Sequence, residues 1–421
     1  MHKPKPHVII LAYYFPPSSE IGARRPARFH KWLQRIGYRC HIVTATPQGS
    51  LRPANIHVVP DELFELWEKG SGERHSFRAY IELLVRQLMF PGHLGIVWSR
   101  KAAAECERII ADHPGEEFVL FATYPTLGTL LAGLRLRRRT GLRWIADFRD
   151  PLCGLMLEGE PAYVRFWSAA LETRVFRSAS AVIANTEPAA AFWRQRFPPE
   201  ARQKLHVLYN GYDPEDSLHS RPVPPREYKL VLHAGTFYHG RTPNLVIEAM
   251  GRLRRQGVPE VCSARMLLLG TTSDFAGADR ALYDAGQREG WLELRPLVPR
   301  SEAVTIIEEA DALVLFQGHS RLQVPGKFYE YICVGRPVLA LLLRPSAVEP
   351  ILQQCGIAHV CIYTDDPPAT VDRKLVEFLR LPNTPAPIND WFQANFNSKF
   401  QTEKLASIID ATAAERARTE G

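Results

Sequence analysis

The sequence predicts two doubly wound α/β domains facing each other across a cleft. Three observations carry this. A chain of 421 residues exceeds what one hydrophobic core ordinarily holds. Apolar strand-like runs alternate with amphipathic helical stretches, the pattern of parallel sheets covered on both faces. Between two such series lies NGYDPEDSLHSRPVPPRE, 210–227, with the Pro, Asp and Ser content of an inter-domain connection.

The elements follow in order. HVIILAY (7–13) is a strand, and the helix after it carries Phe29, Trp32, Leu33 and Ile36 at helical spacing. CHIVTA (40–45), FVLFAT (118–123), LRWIADF (142–148) and AVIANT (181–186) are further strands with helices between them. The second series opens with YKLVLHAG (228–235) and a helix near 242–256. It continues with ARMLLLG (264–270), DALVLF (311–316), a helix around 326–335 and PVLALL (337–342). This gives a first domain over 1–215, a linker over 216–227 and a second domain over 228–390. The aromatic, amphipathic stretch at 391–421 reads as a closing helix that returns to the first domain.

Composition narrows the function. With 46% hydrophobic and 23% charged residues the chain is a globular mixture. A net charge of +7 favours anionic ligands or an anionic membrane face, but no nucleic-acid motif accompanies it. No run of about 18 apolar residues exists to span a bilayer. The basic, then apolar start ends in aromatics and prolines without a small-residue cleavage site, so it reads as a core strand rather than a signal peptide. Seven scattered cysteines without a C-x-x-C pair read as buried thiols of a reducing cytoplasm.

In open α/β sheets ligands bind at the carboxyl ends of strands. The first strand runs into YYFPPSSEIGARR, where Ser18 and Ser19 can cap a helix and Gly22 lets backbone amides approach an anion. An ordinary capped helix start accounts for the same residues. The second domain opens similarly, LVLHAGTFYHGRTPN, with Gly235, Thr236 and Arg241 before a helix. A guanidinium on such a glycine turn suits a diphosphate, because it bonds phosphate oxygens in pairs. Further on, QVPGKFYEYICVGRPVLAL sets Lys327 and Glu330 three residues apart at a helix mouth. By itself that is a first-turn ion pair worth only a few tenths of a kcal/mol.

Together these stretches carry a resemblance. The strand–Gly–x5–Arg–helix, NGYD at the domain join, PGKFYEYICVGRPVLAL, FPPSSEIGARRPARF and ADFRDP are similar to the retaining, family-4 type of GT-B glycosyltransferases over about residues 7–410. The resemblance implies two Rossmann-like domains, no obligatory metal, no cofactor beyond the nucleoside-diphosphate sugar as co-substrate, and transfer with retention at the anomeric carbon. It implies that Glu330 accepts hydrogen bonds from the donor ribose. Lys327 and Arg241 would neutralise the diphosphate and the charge growing on the leaving nucleotide. Gly22, Gly235 and Thr236 complete the donor-binding set. Asp147, Arg149 and Asp150, just past a strand, are the remaining catalytic candidates, although Asp150 before Pro151 also simply begins a turn.

The pattern departs from the family at three points. Leu322 stands where many members carry a second Glu, which leaves the sugar open. Thr236 replaces a frequent Arg, and Arg149 stands in the place of a His on the acceptor side. GLRLRRRTGLRW, 133–144, sets five arginines among leucines, a face suited either to solvent or to anionic lipid headgroups. Docking there would make a lipid-linked saccharide the natural acceptor. The reading is a cytoplasmic glycosyltransferase, at the inner face of the membrane if docking holds, building surface polysaccharide or glycoconjugate from a nucleotide-sugar donor and a saccharide or lipid-linked acceptor. Two alternatives stand beside it: a nucleotide-sugar epimerase of the same fold, and a nucleotide-sugar-binding protein without turnover.

Overall fold

Each strand predicted from an apolar run is present, and each sheet is parallel throughout. The computed structural model describes residues 4–18, 20–48, 53–61, 95–153, 162–237, 242–270, 280–318 and 320–419. The chain divides into unit 1, Met1–Asn210 with Ser398–Gly421, and unit 2, Gly211–Asn397.

Unit 1 holds β1 (His7–Ala12), β2 (Cys40–Thr44), β3 (Ile56–Val58), β4 (Phe118–Thr123), β5 (Trp144–Arg149), β6 (Ala181–Ala184) and β7 (Leu205–Val207). Their order is β3-β2-β1-β4-β5-β6-β7. β1 lies between β2 and β4, so the chain winds outward in both directions and leaves a switch point at the carboxyl ends of β1 and β4. Val8 and Ile10 of β1 pack with Phe29 and Leu33 of the helix Ile21–Arg35 and with Leu405 and Ile409 of the helix Ser398–Thr419. Tyr38 Oη donates to Asp410 Oδ1 at 2.6 Å, which ties that last helix to the sheet's flank.

Unit 2 repeats the plan with β8 (Lys229–Ala234), β9 (Ala264–Leu269), β10 (Leu292–Arg295), β11 (Ala312–Phe316), β12 (Val338–Leu342) and β13 (His359–Tyr363), in the order β10-β9-β8-β11-β12-β13. Its switch point falls between β8 and β11. Val246, Ile247 and Met250 of the helix Asn244–Arg255 pack with Met266, Leu268, Val314 and Leu375.

The stretch read as a linker is tied into unit 2. Arg221 Nε donates to the buried Glu308 at 2.6 Å, its backbone N–H donates to Glu308 O at 3.0 Å, and Arg336 Nη2 donates to Arg221 O at 2.8 Å. The division between units falls at Asn210 and Gly211, ahead of the Pro-rich segment. At its other end unit 2 keeps the helix Asp390–Phe396, whose Phe392 stacks on Tyr212 at 5.8 Å.

Candidate functional site

The richest constellation lies at the carboxyl end of β8. There the chain turns at Gly235, whose φ of +133° is open to glycine alone and whose N–H donates to Leu269 O at 2.7 Å. A Cβ at Gly235 would overlap Lys327 Nζ, so the missing side chain makes the space the ammonium occupies. Two residues earlier, His233 is buried. Its Nδ1 lies 2.8 Å from Val314 O. A carbonyl only accepts, so Nδ1 carries the proton and Nε2 offers its lone pair. Lys327 Nζ donates to that lone pair at 3.3 Å. Phe237 stacks on the imidazole at 4.9 Å and Phe316 meets it edge-on at 4.8 Å. A lysine is therefore held at the switch point by a neutral partner.

The helix Gly326–Val334 presents Lys327, Glu330 and Tyr331 at i, i+3 and i+4, on one face. Tyr331 Oη accepts from Ala234 N at 2.8 Å and docks the helix on the end of β8. Burial pushes its phenol pKa up, so it stays a neutral strut. Glu330 Oε1 accepts from Arg300 Nη2 at 3.1 Å, with a side chain 19% exposed. Pro325 is the N-cap and supplies no side-chain acceptor; Phe328 N donates to Pro325 O at 2.9 Å, and the positive end of the helix dipole lies beside Lys327. Beneath the loop, Gln317 Nε2 donates to Gln323 O at 3.2 Å while its Oε1 accepts from Ser346 at 2.8 Å. Thr236 is exposed on the turn. Arg241 lies outside the described residues.

In unit 1 the three residues of DFRD separate into different roles. Asp147 is fully buried, and both its oxygens are taken: Arg25 Nε and Nη2 donate at 2.8 and 2.9 Å, and Thr123 Oγ1 at 2.7 Å. The same guanidinium bonds Leu208 O, Tyr209 O and Asn210 Oδ1 at 2.9, 2.8 and 3.2 Å. This is a knot joining the first helix, β5 and the end of the domain; it holds no carboxylate toward a ligand. Arg149 is the one non-glycine residue with positive φ (+63°) among the described residues. The β5–β6 register shifts between Asp147 and Arg149, and the Asp150 N–H donates back to Phe148 O at 2.7 Å. Such a conformation costs of order 1–3 kcal/mol and recurs at functional sites. Arg149 is only 8% exposed, and its guanidinium makes one long bond, 3.4 Å, to Tyr124 O. Burial depresses its pKa, against the pull of Asp150 and Asp147.

Two expectations at the first helix change. Ser18 Oγ accepts from Glu20 N at 3.3 Å, but the N-cap is Glu20 and no side chain caps it; Ser19 lies outside the described residues. The crowding at Gly22 comes from the protein itself, since a Cβ there would stand 3.0 Å from Tyr14 and 3.1 Å from Pro125. Close helix–loop packing accounts for that glycine.

The residues that sequence reading passed over are Arg25, His233, Arg300 and Tyr331. His233 sits singly in an apolar strand, and Arg25 is one of four arginines within GARRPARFHKWLQR. Neither carries a local signal of its partner 94 or 122 residues away.

Two units of parallel α/β sheet, each with its own switch point, define the GT-B class of fold, and solved structures agree. Sucrose-phosphate synthase from Thermosynechococcus elongatus matches with a TM-score of 0.63 at 13% identity, covering 98% of this chain and 100% of that one. HepE from Anabaena, solved in complex with UDP-glucose, matches at 0.54 and 12% identity, covering 98% and 99%. A putative UDP-N-acetylglucosamine 2-epimerase from Listeria monocytogenes matches at 0.52 and 10%, covering 98% and 97%. At these identities the likeness is one of fold. More particularly, residues 22–216 match the model of Glycosyltransferase Family 4. No curated protein matches the chain by sequence.

Proposed function

We propose that this protein is a retaining glycosyltransferase that uses a nucleoside-diphosphate sugar without a metal. The observation that carries the reading is Lys327, held at the end of β8 by the neutral imidazole of His233 beside an uncapped helix N-terminus. A fixed cation at the positive end of a helix suits the diphosphate, and it gains most when charge grows on the leaving nucleotide. Arg241 adds a second cation to that role. Glu330 accepts from the ribose hydroxyls, with Arg300 keeping its carboxylate oriented. Gly235 and Thr236 form the turn against which the phosphates lie. Arg149 and Asp150 serve the acceptor side, where a buried guanidinium with one long hydrogen bond favours an oxygen-rich group. Asp147 acts through Arg25 as a positioning residue. The match of residues 22–216 to Glycosyltransferase Family 4 supports transfer over epimerisation, while the epimerase of like fold keeps that alternative specific.

The acceptor is a saccharide or a lipid-linked saccharide of surface polysaccharide or glycoconjugate synthesis. No described helix is long and apolar enough to cross a membrane. Peripheral contact is supported by the helix Ala162–Ser178, which exposes Tyr163, Phe166 and Trp167 by 45%, 67% and 46% and carries Arg174 and Arg177 beside them. Aromatics flanked by arginines suit the interface of an anionic leaflet, at the cytoplasmic face. Of the arginines first singled out, Arg139 pairs with Glu107 at 3.0 Å and Arg137 donates to Gly141 O at 2.6 Å, closing a helix C-terminus.

Incubation with UDP-, GDP-, TDP- and ADP-sugars in the absence of acceptor tests the reading. Slow release of nucleoside diphosphate is expected. A new epimer would replace transfer by epimerisation, and retention of intact donor would make the protein a binding module.

A further inference from the structure

At the opposite rim of the unit 1 sheet, three histidines from distant parts of the chain converge. His7 is the first residue of β1, His41 is the second of β2, and His113 precedes β4. The strands run parallel, so all three lie at their amino ends, away from the carboxyl ends where ligands of such sheets bind. One ring nitrogen of each lies within 4.8 Å of the other two. His7 Nδ1 and His41 Nε2 are 3.2 Å apart. Phe118, the register partner of His7 on β4, forms a floor, its ring 4.9 Å from His7, 6.1 Å from His41 and 6.0 Å from His113.

We propose that His7, His41 and His113 form a structural site for a borderline divalent transition metal of the zinc type. Tetrahedral metal–nitrogen bonds of about 2.0–2.1 Å put ligand nitrogens roughly 3.3–3.4 Å apart, close to the His7–His41 separation. The half-exposed His41 and His113 can turn to close the rest. His113 is already set for ligation: its Nδ1 donates to Ile109 O at 2.9 Å, which leaves the Nε2 lone pair free to bind. His7 needs a tautomer change, because Arg39 Nη1 sits 3.3 Å from its Nε2. Arg39 is exposed and already 3.6 Å from Glu116, and Glu116 Oε2 lies 3.9 Å from the same nitrogen. Glu116 is therefore placed to take the Nε2 proton's hydrogen bond once Nδ1 binds metal. Three protein ligands leave a fourth position for water. The metal would staple β1, β2 and the entry to β4, and this inference stands apart from the reading of the donor site.

The test uses the full chain, untagged, stripped with EDTA and dialysed. Co²⁺ is titrated by visible absorption and Zn²⁺ by calorimetry and thermal melting. One equivalent is expected to bind, with a d–d band free of thiolate charge transfer and a rise in melting temperature. His41→Gln and His113→Gln, at half-exposed positions that keep the fold, should each weaken binding by more than about tenfold. His57→Gln, just outside the trio, should bind as wild type. Failure of the wild type to bind either metal, binding undiminished in both variants, or a thiolate band would overturn the assignment.

Discussion

Replacing Asp147 by Asn separates a positioning role from a catalytic one. The substitution keeps the shape of the side chain and removes the charge that Arg25 meets with two nitrogens at 2.8 and 2.9 Å inside the domain. Breaking a buried ion pair from one side costs roughly 3–5 kcal/mol. Here Arg25 retains the carbonyls of Leu208 and Tyr209 and the Asn210 side-chain oxygen. Its charge stays hydrogen-bonded, which places the loss at the lower end, about 3 kcal/mol. A unit made of Met1–Asn210 and Ser398–Gly421 falls in the size range where 1 kcal/mol moves the melting temperature by roughly 2–4 °C. The expected shift is therefore about 6–12 °C downward. Scanning calorimetry reads it, with a nucleotide present to keep the unit 2 transition apart. Turnover of the folded protein below the transition should be preserved. An unmoved melting temperature with abolished turnover would refute the argument and return Asp147 to the catalytic groups.

Glu330→Ala should weaken nucleoside-diphosphate binding by about 1.5–3 kcal/mol in calorimetric titration, the worth of a charged hydrogen-bond partner; unchanged affinity would leave Glu330 as no more than a partner for Arg300. Lys327→Ala and Arg241→Ala should lower kcat more than they raise KM for the donor, because leaving-group charge is largest in the transition state. EDTA should leave turnover intact, and strict dependence on added Mn²⁺ or Mg²⁺ would contradict the role given to these cations. Co-sedimentation with anionic vesicles at low salt should be lost in Phe166→Ser/Trp167→Ser and reduced in the triple Arg137, Arg138 and Arg139→Gln variant, with release as ionic strength rises. Equal partition of wild type and both variants would point to a soluble acceptor.

The strands that sequence reading missed share one property. β3, β7, β10 and β13 are the outer strands of the two sheets. A central strand is buried on both faces and reads as an unbroken apolar run, as in HVIILA or ALVLF. An outer strand such as HVCIY, alternately buried and half-buried, or the three-residue IHV, gives no such run. The segment 216–227 belongs to unit 2 for a related reason. Its Pro-rich composition matches a linker, but Arg221 and Arg226 anchor it to Glu308 and to Glu309 O, and such pairings leave no trace in local composition.

The sequence alone determined the doubly wound plan, because burial on both faces dictates apolar runs and helical periodicity, and both are local. It also singled out Lys327 and Glu330, since a helix face is set by spacing along the chain. What only tertiary structure decided is which groups meet across strands. His233 meets Lys327 because β8 ends where the helix Gly326–Val334 begins, and Gly235 leaves room for the ammonium. Asp147 passed from candidate catalyst to structural knot because Arg25 reaches it from a helix 122 positions earlier. His7, His41 and His113 became a cluster because parallel strands align their amino ends. Such encounters are fixed by topology and register, which follow from the packing of whole elements and not from any short stretch of residues.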